Sequence, residues 1–167
     1  MARAALEGLS LGEILFVPTG APRYRNPPVA SAEHRLAMLK LALQGDPRYR
    51  IDERELAPGA SGYTADTLKG LRSEIGSAVQ LYLLMGADQY AALPTWHRPD
   101  EVKKLSRIAV FTRPGFKAVG KDAETVPMKP LPISASEIRA RAAHGEALSG
   151  LVPPAVASYI AKHRLYA

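Results

Sequence analysis

Apolar residues in this chain fall into short runs separated by stretches of helical period. The plainest run is Val79-Gln-Leu-Tyr-Leu-Leu-Met85. Its length and its Val, Leu and Tyr content predict a strand buried on both faces of a parallel sheet. Glu13–Pro18 and Arg107–Thr112 predict two more strands, and Tyr49–Asp52 a short one. Residues 2–9 are rich in good helix formers. Leu36, Leu39 and Leu43 recur at helical spacing, giving one buried stripe; Ser31 caps that helix, Glu33 suits its first turn and Gly45 lies past its end. Leu68, Leu71 and Ile75 stripe another, opened by Gly62–Thr67 and closed by Gly76. Pro99–Leu105, Ser134–His144 and Pro154–His163 predict three more helices. Three prolines and a glycine make Thr19–Pro28 a loop. Residues 117–132 read mostly as loop with room for a short strand. Strands alternating with helices argue for an α/β fold with a parallel sheet, in a single domain spanning 1–167.

Composition narrows the function classes. The 167 residues suit one domain with a sizeable core, and 47% hydrophobic against 23% charged residues excludes a disordered chain. With no cysteine there are no disulfides or thiolate metal sites, and a cytoplasmic location is expected. No apolar run approaches the roughly 20 residues of a membrane span, so no membrane partner is expected. The formal charge of +6 raises nucleic acid as a ligand. The Lys and Arg residues are spread out, however, with no recurring aromatic-plus-basic register. A solvated basic surface, or a small anionic ligand such as a nucleotide, fits better, and no nucleic-acid partner is expected.

Candidate chemistry gathers at a few places. Gly86-Ala-Asp88 follows the 79–85 strand, and ligands of open α/β sheets bind beyond the carboxyl ends of such strands. Gly86 would admit close backbone approach and Asp88 could meet a sugar hydroxyl; equally, they could be a turn and a helix cap. Trp96, the only tryptophan, could stack on a planar ring, a pyridinium especially, or fill the core. Tyr63-Thr64 opens a helix, either as its cap or as a receiver for a small carboxylate. Ser134 and Glu137 form a capping-box pattern. Ser136 and Arg139 share a face near the same helix start, where hydroxyls, a guanidinium and free N–H groups would clamp a phosphate. Arg23, Arg25 and Asn26 could hold an anion in their loop. His97 reads as a surface residue rather than a catalyst, and His34, His144 and His163 as structural or solvent-facing.

Taken in order, these blocks resemble bacterial nicotinate-nucleotide adenylyltransferase. They are Ile14–Pro18, Ala32–Leu39, Asp52–Leu56, Tyr63–Leu68, Gly86–Asp88 with Pro94–Trp96, Arg113–Gly115, Ile133–Arg139, and Leu151–Pro154 through Tyr159-Ile160 to Leu165-Tyr166. The Ile-Ser-x-Ser-x-Ile-Arg block belongs to the wider nucleotidyltransferase superfamily; Tyr-Thr-x-x-Thr-Leu with Gly-Ala-Asp…Trp points to this member. The resemblance implies a Rossmann-like nucleotidyltransferase fold. It implies transfer of the adenylyl group of ATP to nicotinate mononucleotide, with Mg²⁺, giving deamido-NAD and pyrophosphate in NAD biosynthesis. It implies that Trp96 stacks on the nicotinate ring, while Thr64, beside Tyr63, and the backbone near Trp96–His97 receive its carboxylate. Gly86 and Asp88 would face the nucleotide, Ser134, Ser136 and Arg139 the ATP phosphates, and Arg113 the adenylate site. The loop of Arg23 and Arg25 stands where the family has its substrate loop, with Pro22-Arg-Tyr-Arg25 replacing Pro-His-Lys.

One departure matters. The family begins with a strand and a Gly-x-Phe-Asp-Pro-x-His-x-Gly-His loop whose histidines stabilise the transferring phosphate, and the 167 residues contain neither. The expectation is a chain truncated at its start by roughly 20 residues, with inactivity as a consequence. In the family's strand order this leaves the 13–18 and 79–85 strands facing a gap. Those edges would close together, be filled by something else, or leave the fragment unstable. A non-catalytic nucleotide-binding remnant is the alternative of a different class. Another adenylyltransferase, such as the phosphopantetheine enzyme, is opposed by Trp96 and Tyr63-Thr64.

Overall fold

A computed structural model describes residues 1–20, 28–112, 120, 122–128 and 132–167. In chain order they form α1 (Ala2–Gly8), β1 (Ile14–Phe16), α2 (Ala32–Ala42), β2 (Tyr49–Ile51), α3 (Thr64–Ile75) and β3 (Tyr82–Gly86). Then come α4 (Ala87–Ala92), α5 (Pro99–Leu105), β4 (Arg107–Thr112), β5 (Ala123–Pro127), α6 (Ala135–Ala143) and α7 (Pro154–Lys162). Short 3-10 turns cover Arg54–Leu56 and Leu93–Thr95.

The three-stranded sheet is ordered β3-β4-β5, and both ladders are parallel. Ile108, Ala109, Val110 and Phe111 of the central strand are all buried. Gly86 lies opposite Phe111, and Phe111 opposite Val126, so three strand ends finish together. A second sheet joins β1 to β2. Asp52 N–H donates to the Phe16 carbonyl at 2.9 Å, and the Phe16 and Tyr49 rings meet edge-on at 5.7 Å. β1 and β3 belong to separate ladders.

Contacts divide the chain into two compact units. One comprises Met1–Ile14 with Ser61–Pro130, the other Leu15–Ala60 with Leu131–Ala167. In the first, α3 and α5 cover β3 and β4 through Ala65, Leu68, Val102, Ile108 and Val110, with Trp96 packed against that cluster. In the second, Leu148, Val156 and Ile160 form the centre, and Met38 and Leu41 of α2 pack on it. Caps hold as the local sequence dictates. Ser31 Oγ accepts from His34 N–H, Ser134 Oγ accepts from Glu137 N–H, and Gly45, Gly76 and Gly145 take positive φ just after their helices.

Four expectations need correction. The strand expected over 79–85 begins only at Tyr82. The Val79 carbonyl is taken by Arg72 Nη1 at 2.7 Å, and the same guanidinium binds the Gly76 and Leu105 carbonyls. The backbone of 76–79 is thus satisfied by a side chain instead of a ladder. Burial on both faces belongs to β4, not β3: β3 lies at the edge of its sheet and only its Met85 is buried. The leucine stripe of α2 is half-buried, with no fully buried residue. Ile75, in the last turn of α3, is exposed. Two short elements add to the pattern: α4 starts directly from β3, too brief for a helical period to register, and β5 fills the region read mostly as loop.

Ile108→Ala should lower the unfolding free energy by about 2–5 kcal/mol, the usual cost of emptying a packed site. Val79→Ala, at an exposed position, should stay within about 0.5 kcal/mol of the parent. Urea denaturation reads both, as midpoint shifts at an unchanged m-value.

Candidate functional site

Two segments far apart in sequence meet at the start of α3. Tyr63 is the residue before the helix and makes no side-chain cap bond, and Thr64 is the first helical residue rather than the cap. The Asp66 carboxylate stands in the first turn, at the positive end of the helix dipole. The Tyr63 ring stacks on His97, with centroids 4.1 Å apart and planes 25° from parallel. Trp96 follows the 93–95 turn, its N–H bonded to the Leu93 carbonyl at 3.0 Å. Trp96 is half-buried and packs against the core cluster of the first unit. The core-filler reading of Trp96 is thus met in part.

Asp66, in the first turn of α3, is bound by the Arg98 guanidinium, which also pairs with Glu101 at 2.9 Å. A hydrogen bond from Ser61, and after it the Arg98 and His97 charges, hold the Asp66 carboxyl below its usual range against the opposing effect of desolvation. Neither Asp66 nor Arg98 had a role in the sequence reading. Their spacing follows no local period.

At the end of β3, Gly86 has φ −78° and ψ 163°, ordinary extended values. A Cβ there would lie 2.6 Å from Asp88 Oδ1, so an added methyl would require only that the Asp88 carboxylate shift. Asp88 is exposed in the first turn of α4, and its Oδ1 lies beside Gly86 at the strand end. Further along, Asp122 accepts from Tyr90 Oη at 2.5 Å and from Lys103 Nζ at 2.6 Å, tying the start of β5 to α4 and α5. The Lys103 bond, then the Tyr90 bond, lower the Asp122 carboxyl to about 2, while Asp122 raises the Tyr90 hydroxyl.

The α6 block lies in the second unit. The Ser134 hydroxyl oxygen is spent on its cap. Arg139 Nη2 donates to Ser136 Oγ at 3.2 Å, so these two share a face as their spacing requires. Glu137 does not reach back to complete a capping box; it pairs with Arg141 at 3.0 Å. Of the histidines read as structural, His34 Nδ1 bonds Tyr159 Oη at 3.0 Å and His163 stacks beside them, a cluster spanning α2 and α7. Arg23, Arg25, Asn26 and Arg113 lie outside the described residues. Among the described residues no three acidic or histidine side chains converge as metal ligands, and no helix is long and apolar enough to cross a membrane.

The cytidylyltransferase-like family model matches residues 1–141. A probable nicotinate-nucleotide adenylyltransferase of Laribacter hongkongensis is 41% identical over 189 residues, covering 99% of this chain and 86% of that protein. One from Salinispora arenicola is 41% identical over 162 residues, covering 93% and 86%. Among solved structures, Plasmodium falciparum nicotinic acid mononucleotide adenylyltransferase complexed with NaAD superposes with a TM-score of 0.77 at 18% identity, covering 98% of this chain and 89% of that one. That likeness shows a shared fold.

Two tests follow from this geometry. Gly86→Ala should leave the melting temperature nearly unchanged, because the clashing atom ends a flexible side chain. It should swing the Asp88 carboxylate off the strand end, and a crystal structure of the variant reads that displacement. For Asp122, a depressed carboxyl contributes stability that is present above its unfolded value near 4 and lost as pH falls toward about 2. Chemical denaturation between pH 5 and 2, as working limits, should show a shallower fall in stability for Asp122→Asn than for the parent.

Proposed function

The chain belongs to the nicotinate-nucleotide adenylyltransferase family, and from that membership we propose that it transfers the adenylyl group of ATP to nicotinate mononucleotide. The products are deamido-NAD and pyrophosphate, and the role is in NAD biosynthesis. Identity of 41% across 99% of the chain carries this reading. The juxtaposition of Tyr63-Thr64 with Trp96-His97 supports the substrate assignment. The Plasmodium protein, which shares the fold, is complexed with NaAD in one structure and with APC in another.

In this reading the nicotinate ring lies on the open side of Trp96. Its carboxylate meets Thr64, beside Tyr63, and the N–H groups that open α3, with the His97 backbone alongside; a helix start favours an anion. Gly86 and Asp88 face the nucleotide ribose. Ser134, Ser136 and Arg139 hold ATP phosphates, the guanidinium by charge-assisted bonds. Arg113, Arg23 and Arg25 are assigned to the adenylate and substrate loops on sequence alone. The mononucleotide phosphate attacks the α-phosphorus of ATP in line. The bond to the β-phosphate oxygen breaks and pyrophosphate leaves. No protein nucleophile takes part, so rate comes from positioning and from absorbing charge.

Mg²⁺ fits only as part of its substrate. The described residues offer no three-ligand cage, and Mg²⁺ is commonly held by nucleotide phosphates with one or two carboxylates. When bound on ATP it neutralises phosphate charge. A cytoplasmic location agrees with a chain free of cysteine. The whole chain is read as one nucleotidyltransferase domain, with small-molecule partners alone.

The test is pyrophosphate release by the 167-residue chain with MgATP and nicotinate mononucleotide, beside quenching of its single tryptophan by the mononucleotide. Quenching is expected of these residues, and release is expected of the chain lengthened by the Gly-x-Phe-Asp-Pro-x-His-x-Gly-His segment they lack, in which the effects below are read. Trp96→Ala should lower kcat/KM by about 10- to 30-fold, the worth of a desolvated cation–π contact. Arg139→Ala should lower it by about 10- to 100-fold, the worth of a hydrogen bond to a charged group. Quenching without release by the lengthened chain would replace this reading with a non-catalytic nucleotide binder. A folded chain showing neither would overturn it.

A further inference from the structure

The ion pair between Asp66 and Arg98 joins the two segments that carry the pyridine site. Asp66 stands two residues past Thr64, and Arg98 two residues past Trp96. Residues 96–98, between the 93–95 turn and α5, have no regular structure to hold them. The near end of this segment is pinned by the Trp96 N–H bond to Leu93, and its far end by Arg98. Arg98 takes φ +53°, left-handed backbone that a long side chain rarely adopts. Such a conformation persists where the surroundings impose it. Here the impositions are visible. The guanidinium is shared between Asp66 and Glu101, and the Arg98 carbonyl starts α5 by accepting from Glu101 and Val102 N–H. The Tyr63–His97 stack closes the same seam one residue earlier.

The charges matter as much as the geometry. A lone carboxylate in the first turn of α3 would oppose an incoming carboxylate at that helix start. Arg98 offsets it. The pair itself is exposed, 38% and 40% at the two side chains, so it adds little to folding stability. Its consequence lies in where it holds the Trp96 segment.

Building on the adenylyltransferase reading above, we propose that Asp66 and Arg98 are positioning residues. Their ion pair sets the separation between the Trp96 shelf and the start of α3, and Arg98 screens the Asp66 charge from the substrate carboxylate. The pair therefore fixes both the fit of the pyridine ring and the preference for the acid over the amide mononucleotide. Arg98→Met releases the segment and uncovers Asp66. Asp66→Asn releases the segment and removes the charge. The two variants thus separate the two parts of the role.

The experiment uses the full chain and has two arms. Without substrate, Trp96 emission and acrylamide quenching are measured in the parent, Arg98→Met, Asp66→Asn and Arg98→Lys. The first two variants should show red-shifted emission and roughly twofold greater quenching at a melting temperature close to the parent's, and Arg98→Lys, which keeps the charge, should return toward the parent. With substrate, in the lengthened chain, Arg98→Met should raise KM for nicotinate mononucleotide about tenfold, for the amide mononucleotide less, and for ATP not at all. Asp66→Asn should raise both mononucleotide values alike. Unchanged Trp96 emission and quenching would overturn the proposal, as would a parallel rise in the KM for ATP. A lengthened parent that transfers no adenylyl group would overturn the function above, while the fluorescence arm would still decide whether the pair holds Trp96.

Discussion

The fold turns on the burial of β4. Four consecutive residues of that strand are out of water, so its backbone N–H and C=O groups have nowhere to go except neighbouring strands. Both ladders are therefore obligatory, and both are parallel. The register that results places Gly86 opposite Phe111. It fixes where β3 stops, where α4 begins and where the Asp88 carboxylate lies. Leu93 and Val102, fully buried against the same sheet, then locate the turn that presents Trp96 and the helix that follows it.

Segments between elements are held by side chains rather than by further regular structure. Arg72 binds three carbonyls from two chain segments. Lys103 and Tyr90 converge on Asp122, Arg98 bridges Asp66 and Glu101, and Arg54 pairs with Asp52 at 2.6 Å. This gives the excess of basic residues a physical meaning that composition could not supply. Several arginines act as multi-donor staples for connecting backbone and lone carboxylates, a use suited to the forked guanidinium.

The chemistry this scaffold serves asks little of the protein covalently. In the proposed reading it asks for a surface under a flat ring, a receiver for a carboxylate and donors for phosphate. These are single side chains or backbone ends.

The sequence by itself determined what neighbours within one or two turns decide. The caps at Ser31 and Ser134, the glycines ending helices, the shared face of Ser136 and Arg139, the strand at 107–112 and the ordered blocks that assign the family are all of this kind. Their causes act over a few residues, and periodicity records them. Only the tertiary structure decided which β-strand would be buried on both faces, because that depends on which strand ends up between two others. It alone decided that Arg72 would deny Val79 a ladder, that Tyr63 would lie on His97, that Arg98 would find Asp66 and that His34 would find Tyr159. Those partners lie 7, 34, 32 and 125 residues apart. No local period links them, and packing of the whole unit brings each pair into reach.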